Sequence, residues 1–174
     1  MYEICHYDSP LGGITLACDE KGLTGLWFDG QKYFGGGLLS QDELNCGKEK
    51  KEISYVMKQA VQWLDIYFSG REPDFTPPLH LVGSDFRLAV WEELRKIPYG
   101  RTTTYKDIAA EIAVQRGLKT MSAQAVGGAV GHNPISVIVP CHRVLGSDGS
   151  LTGYAGGIGK KKSLLTLEKA VFSE

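Results

Sequence analysis

The apolar positions of this chain change period along its length, and the changes divide it into two halves. Residues 2–7, 12–18 and 23–28 read as three short strands. Ser9-Pro10-Leu11-Gly12-Gly13 and Asp19-Glu20-Lys21-Gly22 separate them with turn chemistry. Residues 29–49 are polar and Gly-rich and read as loop. From about 50 to 68 the period becomes helical, with Ile53, Val56, Met57, Ala60, Leu64, Tyr67 and Phe68 recurring on one face. Ser69-Gly70 stops that helix, and Pro73, Pro77 and Pro78 impose extended chain after it. A domain boundary is expected near 75–83, with an N-terminal α/β structural domain and linker over 1–79 and a second domain over 80–174.

The second half reads as mostly helical. Ser84 is placed to cap a helix over about 85–96, with Phe86, Val90, Leu94 and Ile97 on one face. Pro98-Tyr99-Gly100 breaks it. Thr104-Tyr105-Lys106-Asp107 is close to a capping box, with Asp in place of Glu or Gln. Tyr105, Ile108, Ala109 and Ile112 then mark the inward face of a short helix. Arg116-Gly117 turns the chain, Ser122 starts another short helix, and Gly131 and Pro134 stop it. Two short helices around a glycine turn point to a helix-turn-helix. The β-branched run Ile135 to Val139 has the composition of a buried strand, which Pro140 should end because it cannot donate to a ladder. Residues 160–170 read as a last helix, with Leu164, Leu165 and Leu167 apolar.

The helix after Ser122 is unusual in that nearly every residue is small. A glycine inside a helix costs about 1 kcal/mol relative to alanine, so Gly127 and Gly128 need a reason. Val126 and Val130 pair at i, i+4 and should face the core, leaving Ala123, Gly127 and Gly131 on a nearly bare face. Close packing within the protein is one explanation. Fit into a narrow nucleic-acid groove is the other. A helix that reads the major groove carries long polar side chains, whereas this one has Gln124 and, at its end, His132 and Asn133. It is suited to shape and backbone contact, with Ala123, Ala125, Gly127 and Gly128 admitting a close approach.

Charge sharpens the contrast between the halves. Residues 1–79 hold 7 Lys/Arg against 12 Asp/Glu, and residues 80–174 hold 12 against 8, so a net charge of −1 conceals a basic second half. That balance favours a polyanion, with Lys106, Arg116 and Lys119 as candidate phosphate contacts. With 43% hydrophobic residues, the 174-residue chain can bury a real core. No run reaches the length of a membrane span, and Met1-Tyr2-Glu3 does not open a signal peptide. Four cysteines, at 5, 18, 46 and 141, form no CxxC pair, which suits free thiols in a reducing compartment. A cytoplasmic protein is expected.

The candidate chemistry lies at Pro140-Cys141-His142. A lone cysteine usually packs as a small hydrophobe, but an adjacent imidazole makes thiolate chemistry the alternative. Successive side chains on extended chain point to opposite faces, so the pair would need a bridging water or a bend after Pro140. It would also need a carboxylate to orient the histidine. Cys141 is expected to be more reactive than an ordinary thiol, because neighbouring positive charge or its strand-end position favours the thiolate. Gly153-Tyr154-Ala155-Gly156-Gly157 is a flexible loop whose aromatic either lines a pocket or sits on a surface turn. Glu168, near the end of the last helix, reads as a solvated residue.

These pieces together resemble the O6-alkylguanine-DNA alkyltransferases, or methylated-DNA–protein-cysteine methyltransferases. The resemblance is close over about 76–169 and looser over 1–75. Its most specific part is Ile138-Val-Pro-Cys-His-Arg-Val144, with Asn133-Pro134 before it and Gly153-Tyr154-Ala155-Gly156-Gly157 after it. Phe86-x-x-x-Val90-Trp91, Ile97-Pro98-Tyr99-Gly100 and Thr104-Tyr105 also match. The resemblance implies an α+β fold: a small α/β N-terminal domain, then a mostly helical, winged-helix-like C-terminal domain with a helix-turn-helix. It implies single-turnover DNA repair in which duplex DNA is bound from the minor groove and an alkylated guanine is flipped out. Cys141 would take the alkyl group as a thioether. His142 would remove the Cys141 proton through a water, oriented by Glu168, and Asn133 would brace the hydrogen bonds. Tyr105 would donate to the base and press on the backbone, and Tyr154, beside Ala155, would pack against the flipped base. A monomer without cofactor is expected.

Two positions depart from the family pattern. Gln124 stands where an arginine commonly enters the base stack, and it brings no charge. In the N-terminal domain, Cys5, Cys18 and His80 do not match the zinc site of some members, and Thr24 stands where a histidine would be, so no metal is expected. Three rival functions remain to be weighed. A non-catalytic damage sensor would flip and flag the base, but related sensors lack the cysteine. A sequence-specific regulator would need base-reading side chains over 122–132. A cysteine hydrolase would turn over, whereas a thioether has no good leaving group.

Overall fold

The computed structural model describes residues 2–36 and 53–173. Their contacts separate into two units, one of residues 1–82 with 134–136 and one of 83–133 with 137–174. In the first unit, β1 (Glu3–Ser9), β2 (Gly12–Cys18) and β3 (Leu23–Phe28) form an antiparallel sheet in chain order. The turns expected at 9–13 and 19–22 join them, and every residue of β3 is buried. Helix α1 (Tyr55–Phe68) packs on the sheet through Met57, Ala60, Trp63, Leu64 and Tyr67. It starts later than residue 50, because Ser54 is extended and its hydroxyl accepts from the Met57 amide as an N-cap. The loop expected over 29–49 is observed as turns up to Gly36, and the rest of it lies outside the described residues.

The outer edge of β3 is covered by two short segments. Leu23 donates to the Pro78 carbonyl and accepts from the His80 amide, and Leu26 does the same with Pro134 and Ser136. Gly22 is required here, since a Cβ would stand 2.8 Å from the Pro78 carbonyl oxygen.

The run Ile135 to Val139 is not a strand. Ile135 makes one bridge with Leu26, and residues 136–138 form a turn with Val137 at φ 71°. The β-branched side chains are there for burial: Ile135, Val137 and Val139 are each fully buried. Leu23 of the same edge is already bridged to Leu79, and only Ile135 of this run pairs with β3 before the chain turns.

The second unit contains α2 (Asp85–Arg95), α3 (Tyr105–Gln115), α4 (Ala123–Gly131) and α5 (Ile158–Leu167). Ser84, Thr104 and Ser122 cap the first three, each side chain accepting an amide three residues on. Helices α3 and α4 pack on each other and both pack on α2. Trp91 of α2 fixes α4 by donating its indole N–H to the buried Ala129 carbonyl at 2.8 Å. Strands β4 (Thr103–Thr104) and β5 (Val144–Leu145) are two residues each and pair in parallel. The last helix ends at Leu167 rather than 170, because Lys169 turns left-handed at φ 57°.

Candidate active site

Cys141, His142 and Arg143 form one 3-10 turn. Pro140 aims it: with φ −83° and ψ 65° it centres an inverse γ-turn, closed by the Cys141 amide on the Val139 carbonyl at 2.8 Å. This is the bend that an extended strand end would have lacked. The Asn133 side-chain amide donates to the same Val139 carbonyl at 2.8 Å and also hydrogen-bonds Cys141. Asn133 thus ties the end of α4 to the reactive turn.

Cys141 is 5% exposed. Burial pushes its thiol up from the ordinary value. The Asn133 hydrogen bond, the Lys161 charge and the Cys141 and His142 amides pull it down without overcoming burial. The expected acidic cysteine is therefore not what the site holds. The resting thiol is protonated at neutral pH and needs a base.

An imidazole is adjacent. His142 is fully buried, with Nε2 2.5 Å from Glu168 Oε2. A carboxylate can only accept, so Nε2 carries the proton and Nδ1 keeps its lone pair. Nδ1 is buried and has no hydrogen-bond partner among the described residues. Burial lowers the His142 pKa against the opposing pull of Glu168, so the ring is neutral at pH 7.

Glu168 is 3% exposed and caps α5, which corrects its reading as a solvated residue. Its Oε1 accepts from Arg143 Nε at 2.7 Å and from the Gly100 amide at 3.0 Å. Burial works against its charge, but His142 and Arg143 outweigh burial and hold its carboxyl at about 2. Arg143 also donates to the Ile97 carbonyl at 2.7 Å and lies over the Tyr99 ring at 5.7 Å.

Beside this cluster lies an open groove of about 560 Å³, lined by Tyr105, Lys106, Ala123, Gln124, Gly127, Ser147, Thr152 and Gly153. The Tyr105 hydroxyl donates to the Thr152 carbonyl at 3.0 Å. Burial raises the Tyr105 pKa, and the charge of Cys141 adds to the rise, so the tyrosine is electrostatically linked to the thiol. Tyr154 and Ala155 are half-buried in the loop just beyond Gly153. Ala125 and Gly128 lie on the exposed side of α4 without lining the groove. Arg116 and Lys119 sit apart, on the turn between α3 and α4, with Arg116 5.5 Å over the Phe86 ring.

The bare face of α4 differs slightly from expectation: Ala123, Gln124, Ala125 and Gly128 are exposed, while Gly127 and Gly131 are half-buried. A Cβ at Gly128 or Gly131 would meet nothing within 4 Å, and one at Gly127 would make ordinary contact with the Tyr105 ring at 3.8 Å. Packing within this unit does not require these glycines.

In the first unit, Cys18 Sγ lies 3.8 Å from Glu3 Oε2 and 3.6 Å from Ser54 Oγ, and His80 Nδ1 is 2.5 Å from Asp19 Oδ2. Among the described residues no three His, Cys, Asp or Glu side chains are grouped to hold a metal ion. Nor does any described helix have the length and apolarity to cross a membrane.

Residues 85–170 match the family model of the 6-O-methylguanine DNA methyltransferase DNA-binding domain, and residues 4–81 that of its ribonuclease-like domain. The chain belongs to the 6-O-methylguanine DNA methyltransferase family. The Methylated-DNA--protein-cysteine methyltransferase of Methanosarcina barkeri is 42% identical over 162 residues, covering 93% of this chain and 94% of its own. The inducible Bacillus subtilis protein of the same name is 39% identical over 94% of this chain and 82% of its own. The solved structure of Mycobacterium tuberculosis O6-methylguanine methyltransferase is 41% identical, with a TM-score of 0.78 over 97% of this chain and 93% of that one. Mycobacterium tuberculosis OGT in complex with DNA gives 40% and 0.75 over 97% and 92%.

Two residues at the centre of this 6-O-methylguanine DNA methyltransferase site escaped sequence reasoning. Arg143 is named in the sequence only within the Ile138–Val144 motif, and Lys161 is not singled out there at all. The signal for Lys161 was helical spacing: Leu164, Leu165 and Glu168 lie three, four and seven residues on, so the lysine shares their buried face.

Proposed function

We propose that this chain repairs duplex DNA by taking an alkyl group from guanine O6 onto Cys141, once per molecule. The observation that carries the reading is a protonated, buried thiol followed in the same 3-10 turn by a neutral imidazole whose free nitrogen faces no partner. In this scheme the Cys141 proton passes through a bridging water to His142 Nδ1, and Glu168 stabilises the imidazolium. The thiolate attacks the alkyl carbon in line. The C–S bond forms as the C–O6 bond breaks, and that electron pair goes to the guanine. The proton returned by the site ends on the guanine ring, so atoms and charge balance with no co-reactant. Asn133 holds the turn during transfer.

Flipping is required because a stacked base cannot present its alkyl group to a buried thiol. The bare face of α4 suits a minor groove approached by shape, since it offers Ala123, Ala125, Gly127 and Gly128 with little to read sequence. Tyr105 and Tyr154 flank the groove side, and Tyr105 has its hydroxyl ready to move from the Thr152 carbonyl to the base. Arg116, Lys119 and Lys106 serve the phosphates. The protein acts as a monomer in this scheme.

The test is intact mass after incubation with duplex DNA carrying O6-methylguanine. One added methyl per molecule, located at Cys141 by peptide mapping, is the expected result. Turnover beyond one equivalent would overturn the reading.

Gln124 is the finger that fills the vacated stack in this reading, since it projects from the first turn of α4 on the groove. Gln124→Ala should slow transfer from duplex DNA about tenfold, a loss near 1.4 kcal/mol in the barrier. It should barely affect transfer from the free alkylated base, which needs no flipping. Equal slowing of both substrates would make Gln124 a pocket residue instead.

A further inference from the structure

A second groove, of about 450 Å³, lies between the C-terminal end of α2, the 97–103 segment and α3. It shares no lining residue with the groove beside Tyr105 and Gln124. On α3, Asp107, Ala110 and Glu111 are three and four residues apart and form the face that this groove uses, whereas Tyr105 and Lys106 line the other one. Its floor is apolar: Ile97 and Ile108 are buried beneath it, and Pro98 and Ala110 are exposed along it. Its rim is acidic, with Glu93, Asp107 and Glu111. Residues 80–174 carry 12 Lys/Arg against 8 Asp/Glu, so this rim is a local reversal of sign.

The charge of the rim is only partly answered within the protein. Lys96 Nζ and Gln115 Nε2 both donate to Glu93 Oε1 at 2.6 Å. The Lys96 pKa is raised, first by the Glu93 hydrogen bond and charge and then by Glu111 and Glu92, so one end of the groove already favours an ammonium. Among the described residues Asp107 and Glu111 pair with no cation. Among the same residues no three His, Cys, Asp or Glu side chains are grouped to hold a metal ion, so the rim carboxylates are spread along the groove rather than gathered on a point. Such a spread suits an extended chain with separated cations on apolar stems. A nucleic acid has the wrong sign of charge.

The walls of the groove also support the reactive turn. The Ile97 carbonyl accepts from Arg143 Nη1 at 2.7 Å, the Gly100 amide donates to Glu168 Oε1 at 3.0 Å, and Thr103 pairs with Val144 in the β4–β5 ladder. We propose that this groove docks a segment of a partner protein in which lysine or arginine alternates with aliphatic residues, on the back of the 97–103 segment that holds the Cys141 turn. In an extended segment successive side chains point to opposite sides, so the aliphatic ones reach the floor while the basic ones reach the rim. Apolar anchors then supply the affinity, and the charges of Asp107 and Glu111 select the partner.

The probe is a fluorescein-labelled, end-capped peptide of about six residues, alternating lysine and leucine, titrated with the full chain and read by anisotropy. Binding should weaken about tenfold in Glu111→Lys and tighten about threefold in Lys96→Gln, which removes the competing ammonium. Glu72→Lys makes the same change of charge as Glu111→Lys, but in the first unit, and should leave affinity unchanged. All three positions are exposed, so the variants should keep the fold. In isotope-labelled protein the peptide should shift the amides of Ile97, Thr103, Ala110 and Glu111, with a smaller shift at Val144, and leave Ala123, Gln124 and Gly127 in place. Equal weakening by Glu111→Lys and Glu72→Lys would mean non-specific attraction and overturn the inference. Shifts centred on Gln124 would overturn it too, since the peptide would then occupy the other groove. Equal binding of a peptide with serine in place of leucine would make the groove a site for simple cations and sink the docking of an apolar segment. No binding at millimolar protein overturns the inference outright.

Discussion

Cys141→Ala abolishes alkyl transfer and leaves DNA binding nearly unchanged: that is the expected result with the largest effect on activity. No neighbouring group can replace the sulfur. His142 is committed to Glu168 through Nε2, and in the proposed scheme its Nδ1 takes the proton rather than the alkyl group. The other described thiols, Cys5 and Cys18, lie in the first unit. Burial raises the pKa of both, so neither is primed to act as a thiolate. The substitution removes one buried sulfur, which should cost stability on the order of 1–2 kcal/mol and leave the fold intact. In the proposed scheme DNA contact rests on α4 and the groove, so affinity for duplex should stay within about threefold, well under 1 kcal/mol. Intact mass after exposure to methylated duplex, with fluorescence anisotropy for binding, checks both halves. Methyl transfer to Cys5, Cys18 or Cys46 in the variant would refute the assignment.

Glu168→Gln has the largest effect on the protein as a whole. Among the described residues Glu168 is the anion that pairs with both His142 and Arg143, and all three side chains are buried. Glutamine keeps the shape and removes the charge, which leaves the Arg143 guanidinium uncompensated in a dry site. Removing one partner of a buried pair in this way should cost roughly 3–5 kcal/mol. The amide would also place a donor where the imidazole N–H needs an acceptor, favouring the wrong tautomer. Loss of the orienting carboxylate should slow transfer by roughly 10³–10⁴.

The pH dependence of that stability loss has a definite sign. The folded pKa of Glu168, about 2, lies below its ordinary value of 4.5. Its contribution is therefore present above about 4.5 and is lost as pH falls toward 2. Urea unfolding of both proteins should show a gap that is widest near neutral pH and closes below 4.5. His142 is buried neutral, so both proteins also lose stability below about 6.5 as the unfolded chain takes up that proton. A gap that stays constant from pH 7 to pH 3 would mean that Glu168 carries no charge in the folded protein.

Much of the frame was legible in the sequence because its causes are local. The helical period and the capping hydroxyls of Ser84, Thr104 and Ser122 act within a few residues, and the three caps appear where the pattern puts them. The bare face of α4 was visible for the same reason. The adjacency of Cys141 and His142 is covalent, so it needed no fold.

What the chain alone could not disclose is how distant groups dry and charge one another. The run from Ile135 to Val139 has strand composition, yet only Ile135 bridges to β3 and the chain then turns at Val137. Glu168 reads as solvated from its own helix, and becomes the buried anion only when His142 and Arg143, 26 and 25 residues away, close on it. Lys161 looks like one lysine of three until Val144, Thr152 and Gly153 surround it. The acidity expected of Cys141 was reversed by desolvation, which depends on what covers a thiol and not on its neighbours in sequence. Local sequence determined the elements and placed the Cys141 thiol beside the His142 imidazole. Tertiary packing alone decided which charges are buried together, because burial and Coulomb interaction depend on spatial distance and excluded water.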